Sequence, residues 1–504
     1  MSKNNKMSAT QASEAARKQK KNGIIITVCV IVAAVLVLGL AVYNYIGDDI
    51  SGMILRNTTV VETENFEVNG AMMSYMLSAN VQSYSSYLSL LGVDSTVSLK
   101  EQLCPLMADA DATWFDYFME TTKSQVAELL VYAEGAKAAG IELTADEQAS
   151  LDNYIENIEA EAETYGYPNV KTYLYAMTGN SIKLSDVRDC FELNTLASKY
   201  YTQLIDSVEP TDEEREAYYA EFADSFNFVD VYKYNVLASD FEEYDENGVL
   251  TNNAAEQSAL AKAYAETLAA IEGVDAFADA IRAEIDKVNE QRESETDEQF
   301  AERKEGLFES ARSEYTPISD LGTELKEWAK SAQVGDTYVD GVEGATTYTV
   351  YMLVKTPFRN EKMSRDIRHI LFSNEVYADD AKAQEVLAEF VAAGATEAEF
   401  ERLAKEYSYD TTADVGGLIE NVVKGEMVES FETWMFAEDR QVGDYGMVES
   451  DYGWHLMYYP GEGEFTFWEV AANKAIAQKT ADDFYAGKID GVVFNQKGLD
   501  KING

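Results

Sequence analysis

Two stretches decide the fold: RDIRHILF at residues 365–372 and GWHLMYY at residues 453–459. Each is a short apolar run rich in β-branched or aromatic residues, which reads as a buried strand, and each carries one histidine. His369 and His455 are the only histidines in the chain of 504 residues, and chance would scatter them. Taken singly, a histidine in an apolar strand is more often a satisfied core residue than a reactive one. A pair that exhausts the chain's supply shifts that balance. Strand side chains alternate faces, so if the two strands are central neighbours in an antiparallel sheet, both imidazoles face each other from one side. Periodicity does not fix strand order, so this placement is an expectation.

Working outward, AKAQEVLAEFVAAG (381–394) and EAEFERLAKEYS (397–408) read as amphipathic helices, ADVGGLI (413–419) as a glycine-containing loop and SFETWMFA (430–437) as a short helix. WEVAANKAIAQKTADDFYAG (468–487) reads as a helix following this segment. Upstream, TDEEREAYYAEFADSF (211–226) opens a helix that runs into the strand-like FVDVYKYNVLA (228–238). Residues 254–314 are Ala- and charge-rich helix, and TYVDGVEGATTYTVYMLVK (337–355) reads as two strands around a glycine-containing turn. From about 60 to 210 the chain looks helical throughout, cut by turn signals at Gly166, Tyr167 and Pro168 and at Gly179 and Asn180. A plain helical spacer is the competing reading of that region.

The balance of 40 Lys+Arg against 90 Asp+Glu gives a formal charge of −50, which repels phosphate backbones and excludes nucleic acid as a partner. With two histidines, and with Cys29, Cys104 and Cys190 at no metal-ligand spacing, neither a metal site nor a cofactor is expected. Residues 23–46, GIIITVCVIVAAVLVLGLAVYNYI, form an uncharged run longer than the ~20 residues that cross a hydrocarbon core. The expectation is a single transmembrane helix, against the alternative of a cleaved signal peptide. Six bases precede it (Lys3, Lys6, Arg17, Lys18, Lys20, Lys21) against one acid, Glu14. That bias places the N-terminus in the cytoplasm and everything after Gly47 outside, giving a single-pass cell-membrane protein with an acidic ectodomain.

RHIL (368–371), LAKEYSYD (403–410), the turn at Gly416 and Gly417, GEMVESFETWMF (425–436) and VESDYGWHL (448–456) occur in this order over one segment, which along its length resembles a parvulin domain, the fold of one class of peptidyl-prolyl isomerase. The resemblance implies that His369 and His455 hold each other in a hydrogen-bond network under the substrate. It implies that Asp410 faces the susceptible amide, where a turn or cap role is the competing reading. It implies that Met427, Phe431 and Phe436 form the apolar pocket for the proline ring, and that Ser450 and Tyr452 are polar groups beside the second histidine. The chain departs from the family pattern at Glu420, after the glycine turn, and at Trp434, where a small residue is common. FSNEVYADD (372–380) lacks a basic cluster, so phosphorylated substrates are disfavoured.

Residues 211–360 resemble a degenerate second parvulin-like unit, with FVDVYKYNVLA as its opening strand, QVGDTYV (333–339) before its last hairpin and no histidine. The expected fold class is α+β: a single transmembrane helix, a mostly helical chaperone-like module, a parvulin domain with a small antiparallel sheet flanked by helices, and the degenerate unit. The expected boundaries are a cytoplasmic tail at 1–22, the membrane helix at 23–46, the helical domain at 47–210, the degenerate unit at 211–360, the parvulin domain at 361–462, and a C-terminal helix and tail at 463–504. The whole resembles extracytoplasmic foldases of the PrsA and SurA type. By that resemblance its partners are unfolded secreted polypeptides with X-Pro bonds, besides the lipid bilayer through one helix. Two functions stay open: an isomerase and foldase, or a non-catalytic tethered holdase that uses the parvulin fold to bind peptides.

Overall fold

A computed structural model of the chain describes residues 48–502. They divide into two compact units, one made of the chain up to Val208 together with the segment from Ala477 onward, the other Glu209–Ile476. No helix among the described residues is long and apolar enough to cross a membrane. The longest helix singled out below, Trp114–Ala139, carries Asp116, Glu120, Lys123, Glu128, Glu134 and Lys137, whereas a spanning helix needs ~20 predominantly apolar residues. The expected fold class is corrected accordingly, from α+β with a single transmembrane helix to a mixed α/β arrangement of sheets and many helices. Residues 1–22 and the run 23–46 lie outside the described residues.

In the first unit, helices Gly70–Ser83, Trp114–Ala139, Ala145–Thr164 and Leu184–Asp206 pack around buried Phe118, Leu130, Leu174 and Ile182. Thr113 with Asp116, and Thr144 with Glu147, form capping boxes that satisfy the free amide groups at two of the helix starts. The second half of helix Phe467–Ala486 completes the core, where Tyr132 donates to the Ala481 carbonyl at 3.2 Å and stacks on Phe484. The region is not helical throughout. Strands β1 (Thr59–Glu62) and β2 (Glu67–Asn69) pair with each other, and β1 also pairs with the late strand Val493–Phe494. Strands of two to four residues are too short to show a period. Cys104 and Cys190 are free and buried.

The second unit holds two four-stranded antiparallel sheets. One joins β3 (Asn227–Leu237), β4 (Arg312–Pro317), β5 (Thr337–Asp340) and β6 (Thr347–Arg359) in the order β4-β3-β6-β5. The other joins β7 (Met363–Ser373), β8 (Leu418–Val422), β9 (Tyr445–Ser450) and β10 (Gly453–Thr466) in the order β8-β7-β10-β9. In both, the lobe's second strand lies beside its first, the first beside its fourth, and the fourth beside its third.

The helices follow the same plan. Helices between the first and second strands cover one face: Ala254–Ala269, Val274–Val288 and Asp297–Ala311 in the first lobe, Ala381–Ala392 and Glu397–Tyr407 in the second. A short helix between the second and third strands covers the other face, Thr323–Ser331 in the first lobe and Glu429–Met435 in the second. Two of these strands, β4 and β8, fall where the sequence reads as helix and loop. In β4, RSEYTP lacks apolar alternation, and β8 has five residues.

Two backbone devices recur and fix the equivalence of the lobes. In the sequence Gln-Val-Gly-Asp, at 333–336 and again at 441–444, the glycine has φ near +90°. Gly335 donates to the Leu353 carbonyl and Gly443 to the Tyr459 carbonyl, each at 2.9 Å. The following aspartates, Asp336 and Asp444, accept from Gln333 and Gln441 and pin the turn. On the opening strands, Asp230 accepts from the amide of Tyr315 and Asp366 from that of Asn421, each at 2.8 Å. Tyr315 and Asn421 both adopt a left-handed backbone, φ 50° and 54°.

A left-handed backbone costs a non-glycine residue about 1–2 kcal/mol, so Gly335→Ala and Gly443→Ala are each expected to lower unfolding stability by that amount, read as a shift in urea midpoint.

Candidate active site

Strands β7 and β10 are central neighbours, with His369 opposite Met457 and His455 opposite Leu371. The histidines are therefore diagonal across the pair and share a face, because residues two apart on a strand point the same way. Their Nδ1 atoms are 3.2 Å apart, and the rings lie nearly parallel with centroids 5.4 Å apart. Both are buried, at 4% and 5% exposure. Phe431, on the helix over this face, sets its ring edge-on to both imidazoles, at 5.5 and 5.8 Å.

The remaining partners assign the protons. His369 Nε2 lies 3.3 Å from Asp410 Oδ1. A carboxylate only accepts, so His369 carries a proton on Nε2, and in the neutral imidazole its Nδ1 is then an acceptor. His455 must then donate from Nδ1, which leaves its Nε2 to accept the Ser450 hydroxyl at 2.7 Å. Ser450, His455, His369 and Asp410 thus form one directional chain. Asp410 accepts in addition from the Thr412 hydroxyl at 2.6 Å and from the Thr412 amide at 2.8 Å. These bonds, with the His369 contact first among them, hold the Asp410 carboxyl well below the usual carboxylate range. Burial, reinforced by the neighbouring His369, pushes His455 down to about 4, so it is neutral at physiological pH.

The loop carrying Asp410 is stitched to β7. Ser408 Oγ accepts from the amides of Leu371 and Asp410, and Tyr409 donates to the Leu371 carbonyl. The His369 amide donates to the Gly417 carbonyl at 2.9 Å. Gly417 has φ +73°, and a Cβ there would lie 2.2 Å from the His369 carbonyl, so only glycine fits this approach. On the opposite face, buried Arg368 pairs with Glu397 at 2.9 Å and donates to the Val415 and Gly416 carbonyls. Asp410 caps the short helical turn Thr411–Val415 while also facing His369, so the cap reading and the site reading describe one residue.

Met427, Phe431, Trp434 and Phe436 belong to the apolar cluster of this face. Of the expected pocket residues, Phe431 touches both imidazoles, whereas Phe436 turns its ring to Phe467 at 5.8 Å and sits under Arg365. Ser450 reaches His455. Tyr452 does not: the residue is 62% exposed and its amide donates to Ser450 Oγ. Glu420 is exposed on β8. Sequence reasoning missed Thr412, Ser408 and Arg368. The available signal was the Ser-x-Asp-x-Thr spacing at 408–412, in which short polar side chains bond the backbone two residues on.

The first lobe holds different residues at the two histidine positions. Lys233 lies three residues after Asp230, as His369 follows Asp366, and Thr349 lies four before Leu353, as His455 precedes Tyr459.

An unfolded histidine titrates near ~6.5, above the value of about 4 for folded His455. Between those values the unfolded chain binds more protons, so stability falls as pH drops from about 6.5 to about 4 and this contribution is then exhausted. Urea midpoints of wild type are expected to fall across that window more steeply than those of His455→Gln. Equal slopes would contradict the assignment.

Residues 349–459 match the protein family described as the PPIC-type PPIASE domain. Foldase protein PrsA 1 of Listeria monocytogenes serotype 4b (strain F2365) is 35% identical over 105 residues, covering 21% of this chain and 33% of that one. Chaperone SurA of Bordetella avium (strain 197N) is 38% identical over 92 residues, 18% of either chain. The chain thus spans a third or less of the length of these curated relatives. A crystal structure of PrsA from Bacillus subtilis aligns at 14% identity over 81% of this chain and 94% of that one, with a TM-score of 0.27, too low to carry an argument. By its matched residues, the chain carries a parvulin-type peptidyl-prolyl isomerase domain, the part of it that is similar to foldase protein PrsA 1 and chaperone SurA.

Proposed function

We propose that the chain is a peptidyl-prolyl cis–trans isomerase and foldase that turns X-Pro bonds in unfolded polypeptides outside the cytoplasm. The observation that carries this reading is the hydrogen-bonded chain Ser450–His455–His369–Asp410, its two histidines buried beside the Phe431 ring.

Rotation about an X-Pro amide must break resonance across ~18–20 kcal/mol, and no bond is made or cut. The reaction needs an environment that binds the twisted amide better than the planar one, not a nucleophile. Met427 and Phe431 supply an apolar seat for the proline ring. The Asp410 carboxylate, ionised and one-quarter exposed, presents fixed negative charge to the amide's carbonyl oxygen, whose resonance-derived negative charge is lost as the bond twists, so the planar form is disfavoured relative to the twisted one. The two histidines orient that carboxylate. Neutral His455 donates to His369, which donates to Asp410, and the Ser450 hydroxyl satisfies the far nitrogen of His455.

The full chain is expected to accelerate isomerisation of a short Ala-Pro peptide, and His455→Ala and Asp410→Ala are expected to lower kcat/KM by about 10²–10⁴-fold, the range for a positioned polar group. No acceleration by correctly folded wild type would leave the non-catalytic holdase. The location has its own check: protease added to intact cells digests the chain if it lies outside and spares it if it does not.

A further inference from the structure

A carboxylate has two oxygens, and in Asp410 the protein occupies one of them. Oδ1 meets the Thr412 hydroxyl at 2.6 Å, the Thr412 amide at 2.8 Å and His369 Nε2 at 3.3 Å. Oδ2 has no hydrogen-bond partner among the described residues. It is not sealed in either, because Arg215 Nε is the one buried side-chain polar atom left without a partner among those residues. Oδ1 is therefore held, and Oδ2 is presented to the site.

Two of the three donors come from Thr412, and they are not equivalent. An Asp side chain bonds the amide two residues on in many turns, and any residue but proline supplies that amide. The hydroxyl is what threonine adds. At 2.6 Å it is as short as a hydroxyl bond to a charged oxygen usually is, ~2.5–2.7 Å, whereas His369 Nε2 stands just past the ~3.2 Å that bounds most N–H···O bonds. The same hydroxyl oxygen lies 3.4 Å from His369 Nε2. It accepts from Nε2 alongside Asp410 and donates to Oδ1, so it bridges a stretch that the imidazole alone spans loosely. The torsion that turns an aspartate carboxylate is broad and roughly twofold, so one amide does not keep its two oxygens from exchanging places. A second short bond to the same oxygen does.

On the isomerase reading, on which this rests, we infer that Thr412 is a positioning residue for Asp410: its hydroxyl fixes Oδ1 against the histidine pair, so that Oδ2 is the oxygen that meets the twisting amide. Thr412 lies outside the apolar cluster of Met427 and Phe431 that seats the ring. Losing the hydroxyl therefore slows the bound peptide and leaves its capture alone.

The test is isomerisation of a short Ala-Pro peptide by the full chain, with kcat and KM measured separately for wild type, Thr412→Val and Thr412→Ser, and again for Thr412→Val in the Asp410→Ala background. Valine keeps the shape and the backbone amide and removes the hydroxyl. The expected result is a kcat about tenfold lower in Thr412→Val, as for one lost bond to a charged group, with KM unchanged. Thr412→Ser restores the rate, and Thr412→Val costs nothing further once Asp410 is replaced, because residues that act through one group are not additive. A urea midpoint equal to that of wild type verifies folding, and Thr412→Ala carries the same comparison if the valine variant unfolds. Undiminished kcat in Thr412→Val while Asp410→Ala is impaired, equal loss in Thr412→Val and Thr412→Ser, or the same loss with and without Asp410 overturns this role and leaves the isomerase standing. No acceleration by folded wild type overturns the isomerase reading and this role with it.

Discussion

The Nδ1–Nδ1 hydrogen bond between His369 and His455 is the contact on which the second lobe's site depends. It exists only if β7 and β10 pair in this register, since a slip of one residue would send one imidazole to the opposite face. It also removes two buried polar atoms from the list of groups needing water, which is what lets both rings sit at the centre of a sheet. Once the two Nδ1 atoms are committed to each other, their Nε2 atoms must find partners at opposite ends. Asp410 and Ser450 are those partners, and the direction of every proton follows from the single fact that a carboxylate cannot donate.

The two lobes separate what a fold needs from what a site needs. The features they share are turns and strand-bending contacts: Gln-Val-Gly-Asp, and an aspartate that receives the amide of a left-handed residue. Each satisfies backbone groups that would otherwise be stranded at an irregular point in a strand or turn. The features they do not share are the polar side chains on the face covered by the short helix. Lys233 and Thr349 are as compatible with the sheet as two histidines, so sheet geometry places no demand on those positions.

How far this was legible in the sequence follows the same division. The opening and closing strands of the second lobe stand out because apolar, branched and aromatic residues run together in them, and the confinement of both histidines there needs no structure to notice. Their register does not stand out, because alternation tells which residues share a face of one strand and nothing about its neighbour. Strands β1, β2 and β8 escaped because so few residues carry no measurable period, and β4 because RSEYTP has none. Thr412 escaped for another reason. Its side chain bonds a residue two positions away, a local turn by any sequence criterion, and its nearness to His369 arises from the loop being drawn onto β7.

Trp434 reads in the sequence as a departure from the parvulin pattern, and the structure gives the reason it fits. The indole lies on Gly446 of the edge strand β9, where an added Cβ would come within 2.7 Å of the indole nitrogen. Gly446 is not among the glycines with a left-handed backbone, so its lack of a side chain serves the tryptophan and not the chain path. Arg440 closes the other side, its guanidinium 3.8 Å from the ring centre and its nitrogens bonded to the Trp434 carbonyl. Held between Gly446 and Arg440, the indole is a wall fixed to the edge of the sheet. The bulk that looks like an obstruction in the sequence is absorbed by a glycine on a different strand, and Phe431 is left to meet both imidazoles.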